Sequence, residues 1–191
     1  PAADFDVILV MGARVYVWPL FKRVLTLLSA GPLLSEGLQR RILTDDLRRL
    51  QGYQLARGLA ADGTARILLA PTADATENAP QLARAFPPEV AVLIAERVPG
   101  FWRILEAVAA EDGITLLRQP EQTVVDGIFT GVEYAVDDHL RKQDFEHHNA
   151  AFGAAVLSQV MPIVRGVATG GRARGLAAGP CPRQDGQEGE A

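Results

Sequence analysis

The chain has 191 residues, 48% hydrophobic and 22% charged, a balance that fits one globular domain whose core needs no covalent staples. A formal charge of −4 and a pI near 5.4 exclude a global field that would gather nucleic acid or an anionic membrane surface. The single cysteine, Cys181, excludes a disulfide framework and a cysteine-built metal site, and fits a reducing compartment.

The first element expected is a strand. "DVILVMG", Asp6 to Gly12, is an aliphatic run ended by glycine, the pattern of a strand buried on both faces. The apolar stretch it opens is broken by Gly12, Arg14 and Pro19 before it could span a bilayer. "PAADFD" carries neither the basic region nor the cleavage site of a secretory signal, so no membrane partner and a cytoplasmic location are expected. "WPLFKRVLTLLSAG" follows with apolar residues at Leu20, Phe21, Val24, Leu25, Leu27 and Leu28, a helix stopped by Gly31-Pro32.

"RRILTDD", Arg40 to Asp46, is read as a short second strand. "TDDLRRLQGYQLARGL" after it is read as a helix with Leu47, Leu50, Tyr53 and Leu55 on one side. Then come "ARILLA" as strand, "ENAPQLARAF" as helix, Val90 to Glu96 as strand, "FWRILEAVAAEDG" as helix and "ITLLRQ" as strand. Strands alternating with helices at this spacing predict an α/β fold with a mostly parallel sheet covered on both faces. Beyond Val136 the chain reads mainly as helix, ended or kinked at Pro162, and from Gly170 it has no periodic apolar face. The expected organisation is a single α/β domain over 1–169 and a disordered tail over 170–191.

Ligands of open parallel sheets collect outside the carboxyl ends of the strands, so the loops there are the place to look for chemistry. In "MGAR", Gly12 permits close backbone approach and Arg14 pairs with a phosphate or carboxylate, although a plain turn explains a lone glycine equally well. In "PTADATENA", Asp74 or Thr76 caps a helix beginning near Glu77, whose charge complements the helix dipole. Asn78 is left over by that account, since its amide suits a polar partner better than a helix interior. In "AERVPGFWR", Arg103 reaches back toward the same edge, whereas Glu96 and Arg97 read as surface charges and Phe101 and Trp102 as core.

"DVILVMGARV", a helix ending "LLSAG", and "QLARGLAADGTARILLAPTADATENAPQLARAF" together resemble the YdcF/SanA/ElyC-like family, over about Asp6 to Gln119. That family joins a strand and a Gly-containing loop to a later strand and a Thr-x-x-Glu-Asn-Ala-like turn, here Ala75-Thr76-Glu77-Asn78-Ala79. The resemblance implies a Rossmann-like three-layer fold with a helical C-terminal third. It also implies a pocket for a nucleotide-like or phosphorylated small molecule, with S-adenosylmethionine as the cofactor to expect from one member. Members usually carry a Ser-Gly-Gly turn where this chain reads Thr44-Asp45-Asp46. They also carry a basic or His-containing segment that "AERVPGFWR" matches only through Arg103. Envelope-linked members with an N-terminal membrane anchor differ from this chain, which resembles the soluble branch. Loops and resemblance together make Gly12, Ala13, Arg14, Thr76, Glu77, Asn78 and Arg103 the candidate ligand-binding residues.

Two other readings stay open. "DDH" and "EHH" hold all three histidines, and on a continuous helix His139 and Glu146 share a face, so a metal-dependent hydrolase built on His139, His147 and His148 competes with a solvated helical face. A non-catalytic homodimer would instead use an apolar face through Phe152, Val156, Val160 and Ile163, which an intramolecular helix covering the sheet would equally require. Ser29, Ser35 and Ser158 sit in no strand-turn-helix elbow, and neither a G-x-G-x-x-G nor a Walker A sequence is present.

Overall fold

The computed structural model describes residues 5–31, 34–80 and 88–175, with side chains described as far as residue 166 except at 88, 89 and 91. Three parallel strands, β1 (Val7–Gly12), β2 (Arg66–Pro71) and β3 (Ile114–Leu116), form a sheet in the order β1-β2-β3. Between β1 and β2 run α1 (Trp18–Ala30), α2 (Glu36–Arg49) and α3 (Gln51–Ala61), and between β2 and β3 runs α4 (Pro88–Glu111). A two-stranded antiparallel ribbon, β4 (Val124–Val125) and β5 (Phe129–Thr130), follows, then α5 (His139–Lys142) and α6 (Ala150–Gly175).

Both crossovers step the same way across the sheet, so one handedness puts their helices on one face. The alternation of side chains along the strands agrees. Ile8 and Val10 of β1 and Ile67 and Leu69 of β2 pack with Phe21, Val24, Leu43, Tyr53 and Leu105 in the main core. Val7, Leu9, Leu68 and Ala70 point the other way and pack with Phe152, Val156 and Val160 of α6. The expected α/β fold with a parallel sheet and a helical C-terminal part is therefore present, with α6 as the third layer. The apolar face that a dimer would have used, Ile163 included, lies against this sheet.

Two expected strands are helices. Arg40 to Asp46 lies within α2, where Gln39, Leu43 and Leu47 are buried one turn apart and Ser35 Oγ caps the helix by accepting from Leu38 N at 3.3 Å. Val90 to Glu96 lies within α4, whose buried Val90, Ile94, Val98, Phe101, Leu105 and Val108 follow a helical spacing straight through Pro99-Gly100. The helix expected over Thr44 to Leu59 is divided at Leu50, whose extended ψ of 129° separates α2 from α3. Glu77 to Pro80 are non-helical, and residues 81–86, the rest of the helix expected there, lie outside the described residues. Pro162 sits inside α6, which continues to Gly175, six residues into the expected tail; 176–191 lie outside the described residues.

The turn after β1 is held at close quarters. Gly12, Ala13 and Arg14 all have positive φ, 71°, 41° and 55°, a strained run for the two non-glycines. Thr72 fixes it, donating from Oγ1 to Gly12 O and from its amide to Val15 O, both at 2.9 Å. α3 presses on the same turn through Gly52, where an added Cβ would overlap Ala13 O and lie 2.7 Å from Val15 Cγ2. Gly52→Ala is expected to destabilise the protein by about 2 kcal/mol, about 3 kcal/mol of overpacking against a backbone carbonyl offset in part by better helix propensity. Urea denaturation checks it, and a variant as stable as wild type would show that α3 does not brace the turn.

Candidate functional site

The carboxyl ends of the three strands open on a cavity of about 280 Å³, entered between Gly12, the segment Pro71–Asp74, Leu117–Gln119 and the start of α6. Beside it, sharing Asp74, Trp102, Arg118, Gln119 and Gln159 as lining, lies a larger chamber of about 840 Å³ bordered by α4 and the β4-β5 ribbon. Leu117, Phe152 and Val156 supply apolar wall, and Trp102 stands at the junction with its edge against Phe21.

Asp74 is the polar centre of this cleft. Its main chain is clamped: the amide donates to Gln119 Oε1 at 3.3 Å and the carbonyl accepts from Thr130 Oγ1 at 2.6 Å. Gln119 Nε2 completes the brace by donating to Thr130 Oγ1 and Thr123 O. Among the described residues the Asp74 carboxylate itself has no hydrogen bond or ion pair, and burial pushes its pKa up to about 7.

His148 lies beside it, with its ring 4.6 Å from the Phe152 ring and a buried Nε2 that has no hydrogen-bond partner among the described residues. Burial lowers its pKa, opposed by the neighbouring Asp74 main chain, so the imidazole is neutral at physiological pH. Arg118 borders both chambers and lies 5.8 Å over the Trp102 ring, and its guanidinium is taken by Glu106 through two bonds of 2.6 and 2.7 Å.

The residues singled out in the sequence occupy different places. Gly12 lines the cavity, while Ala13 and the exposed Arg14 belong to the strained turn outside its lining. Thr76 is fully buried; its amide donates to Phe145 O at 2.9 Å and its hydroxyl to Asn78 Oδ1 at 3.0 Å. Asn78 Nδ2 meets His139 Nε2 at 2.9 Å, and Glu77 Oε1 accepts from the Val132 amide at 3.2 Å. These three thus fasten the Thr76 turn to the segment between β5 and α6, which accounts for the Asn78 left over by the helix-cap account. Arg103 is on the exposed side of α4, its Nε donating to Pro99 O at 3.4 Å, so "AERVPGFWR" is not a loop at the sheet edge.

The three histidines do not converge. α5 is only four residues long, so His139 and Glu146 share no helical face; His139 bonds Asn78, His147 bonds Asp144 at 2.8 Å, and His148 faces Phe152. Among the described residues, no group of three His, Cys, Asp or Glu side chains could hold a metal ion. No described helix is long and apolar enough to cross a membrane.

The reasoning from sequence missed Trp102, Arg118, Gln119 and His148 as cleft residues, and treated Asp74 as a helix cap. The signal for Arg118 and Gln119 is their position directly after "ITLL", at the carboxyl end of β3. Comparison of the chain with models of protein families, with curated proteins and with solved structures finds no match.

Proposed function

We propose that the chain binds a nucleoside-sized organic molecule in the cleft at the carboxyl edge of its sheet. The observation that carries this reading is the pair of adjacent chambers, about 280 and 840 Å³, that share Asp74, Trp102, Arg118 and Gln119 as lining. Volumes of this order, with apolar walls and a few fixed polar groups, are those of small-molecule sites. Trp102 lends apolar surface where the two chambers meet, and the clamped main chain around Asp74 keeps the polar groups in place.

Electrostatics narrow the class. A phosphorylated ligand needs an available cation, whereas Arg118 is engaged by Glu106 and Arg14 lies outside the cleft, while Asp74, Glu121 and Asp126 line it. A neutral or cationic nucleoside-like molecule suits this lining better than a nucleotide. S-adenosylmethionine, which the YdcF-like resemblance brings forward, is the first compound to test.

Thermal melting of the purified chain with S-adenosylmethionine, adenosine, nucleotides and sugar phosphates is the experiment. A ligand at a hundred times its Kd should stabilise by about 2.7 kcal/mol, several degrees in Tm. Gly153 lines the smaller chamber and, among the described residues, nothing lies within 4 Å of an added Cβ, so Gly153→Leu, with its own melting curve as the check on folding, should fill the chamber and cancel the shift. A ligand shift that survives Gly153→Leu would move the site elsewhere.

A further inference from the structure

We infer that the smaller chamber receives a positively charged nitrogen, a protonated amine or quaternary ammonium on an apolar body, with Asp74 as its counter-ion. This rests on the cleft being a ligand site, and it names the chemistry of the group bound there.

A partly buried carboxylate beside apolar walls is stabilised by a nearby cation or a set of donors, and proteins usually supply one or the other. Asp74 has neither among the described residues, although its amide and carbonyl are both tied down and its side chain borders the chamber. The cation nearest at hand is already engaged: Arg118, the one Arg or Lys among the described lining residues, is held by both carboxylate oxygens of Glu106. The walls around Asp74 include Trp102, Phe152 and Leu117. An apolar body packs on such walls, and an ammonium set against aromatic faces gains cation–π attraction besides the ion pair. A metal ion fits poorly, because hard cations take six or more oxygens and, among the described residues, no group of three His, Cys, Asp or Glu side chains clusters here to supply them.

The other titratable groups lining the two chambers are Glu121 and Asp126 in the larger, His147, His148 and Glu146 in the smaller, and Arg118, paired with Glu106, in both. His148 is kept neutral by burial, His147 is turned to Asp144, and Glu146 is exposed at the mouth, where its charge adds to the attraction for a cation. Because burial pushes Asp74 up to about 7, a cation must displace a proton from it in acid. Affinity should therefore be flat above neutrality and fall about tenfold for each pH unit below it.

The test is calorimetric titration of the full chain with three probes of one shape: phenethylamine, 2-phenylethanol and phenylacetate. At pH 8 the amine should bind at least about tenfold more tightly than the alcohol, with phenylacetate weakest, and at pH 5.5 the amine should lose about thirtyfold. Asp74→Asn, whose folding is verified by its own melting curve, should remove the preference for the amine and keep the alcohol. If the alcohol or phenylacetate binds as well as the amine, and Gly153→Leu blocks it, the cleft stands as a ligand site and the ammonium assignment is overturned. An amine that binds Asp74→Asn as tightly as wild type overturns it too. If no probe binds, both the assignment and the reading of the cleft fall.

Discussion

Asp74→Asn should make the protein more stable at pH 8, by about 2 kcal/mol, and by progressively less as the pH is lowered toward 4. The carboxyl is ionised in the unfolded chain above its ordinary 3.8, whereas in the folded protein burial holds it protonated up to about 7. Between those values the native state binds the extra proton, so wild-type stability declines as pH rises from 4 to 7 and stays low above. An amide in the same place has no such charge to desolvate. Taken in full, the displacement corresponds to about 4 kcal/mol. Asp74 is only half-buried and borders an open chamber, so solvent screening reduces this to about 2 kcal/mol.

Paired denaturation curves at pH 5 and pH 8 measure the effect. His148 contributes the opposite slope: its lowered pKa means that stability falls as acid protonates the unfolded histidine first, below its ordinary 6.5. That contribution is common to wild type and variant and cancels in the difference, so the pH-dependent gain of Asp74→Asn reports Asp74 alone. A variant less stable than wild type at pH 8 would mean that the carboxylate has a stabilising partner in solution. A stabilising substitution at a polar cleft residue is the pattern of a group kept for function at a cost in stability.

The part of the fold that was legible in the sequence was written in patterns with one structural meaning. The glycine-terminated aliphatic run of β1, the amphipathic α1 and the buried run of β2 fall where their patterns put them, because each is bounded by a clear stop. Arg40–Asp46 and Val90–Glu96 failed for a shared reason: a short apolar run has no decisive period, and its length has to be judged from its flanks. In α4 the flank was Pro99-Gly100, which reads as a break, yet the buried positions continue in helical register on both sides and core packing outweighs the lost backbone hydrogen bond. The rule that ligands sit at the carboxyl edge located the cleft, but it could not say which side chains in those loops face it. In "TADATEN" the Thr76 hydroxyl is spent on Asn78 and the Asn78 amide on His139 of the later segment, whereas Asp74, two residues before Thr76, lines the chamber.

Asp112→Ala should cost about 3 kcal/mol, the largest single-residue loss argued for this protein. Asp112 follows α4 and ties the sheet's helical face together. Its carboxylate accepts from Arg48 Nε and Nη2 at 3.1 and 3.0 Å and from the Tyr53 hydroxyl at 3.0 Å, and it pairs with Arg57 at 3.2 Å. The side chain is 10% exposed and Tyr53 is fully buried, so removing the carboxylate strands a phenol in the core and leaves two guanidinium groups without their anion. Breaking one partner of a buried pair costs about 3–5 kcal/mol. Arg48 and Arg57 are 37% and 45% exposed and can turn to water, which places the loss at the lower end. Tyr53→Phe alone should lose only about 1 kcal/mol, since its ring packing is kept. In the Asp112→Ala background, Tyr53→Phe should cost nothing or recover stability, because no buried hydroxyl is then left unpaired. A double-mutant cycle by guanidinium denaturation separates the terms, and equal costs for Tyr53→Phe in both backgrounds would show that the hydroxyl draws no stability from Asp112.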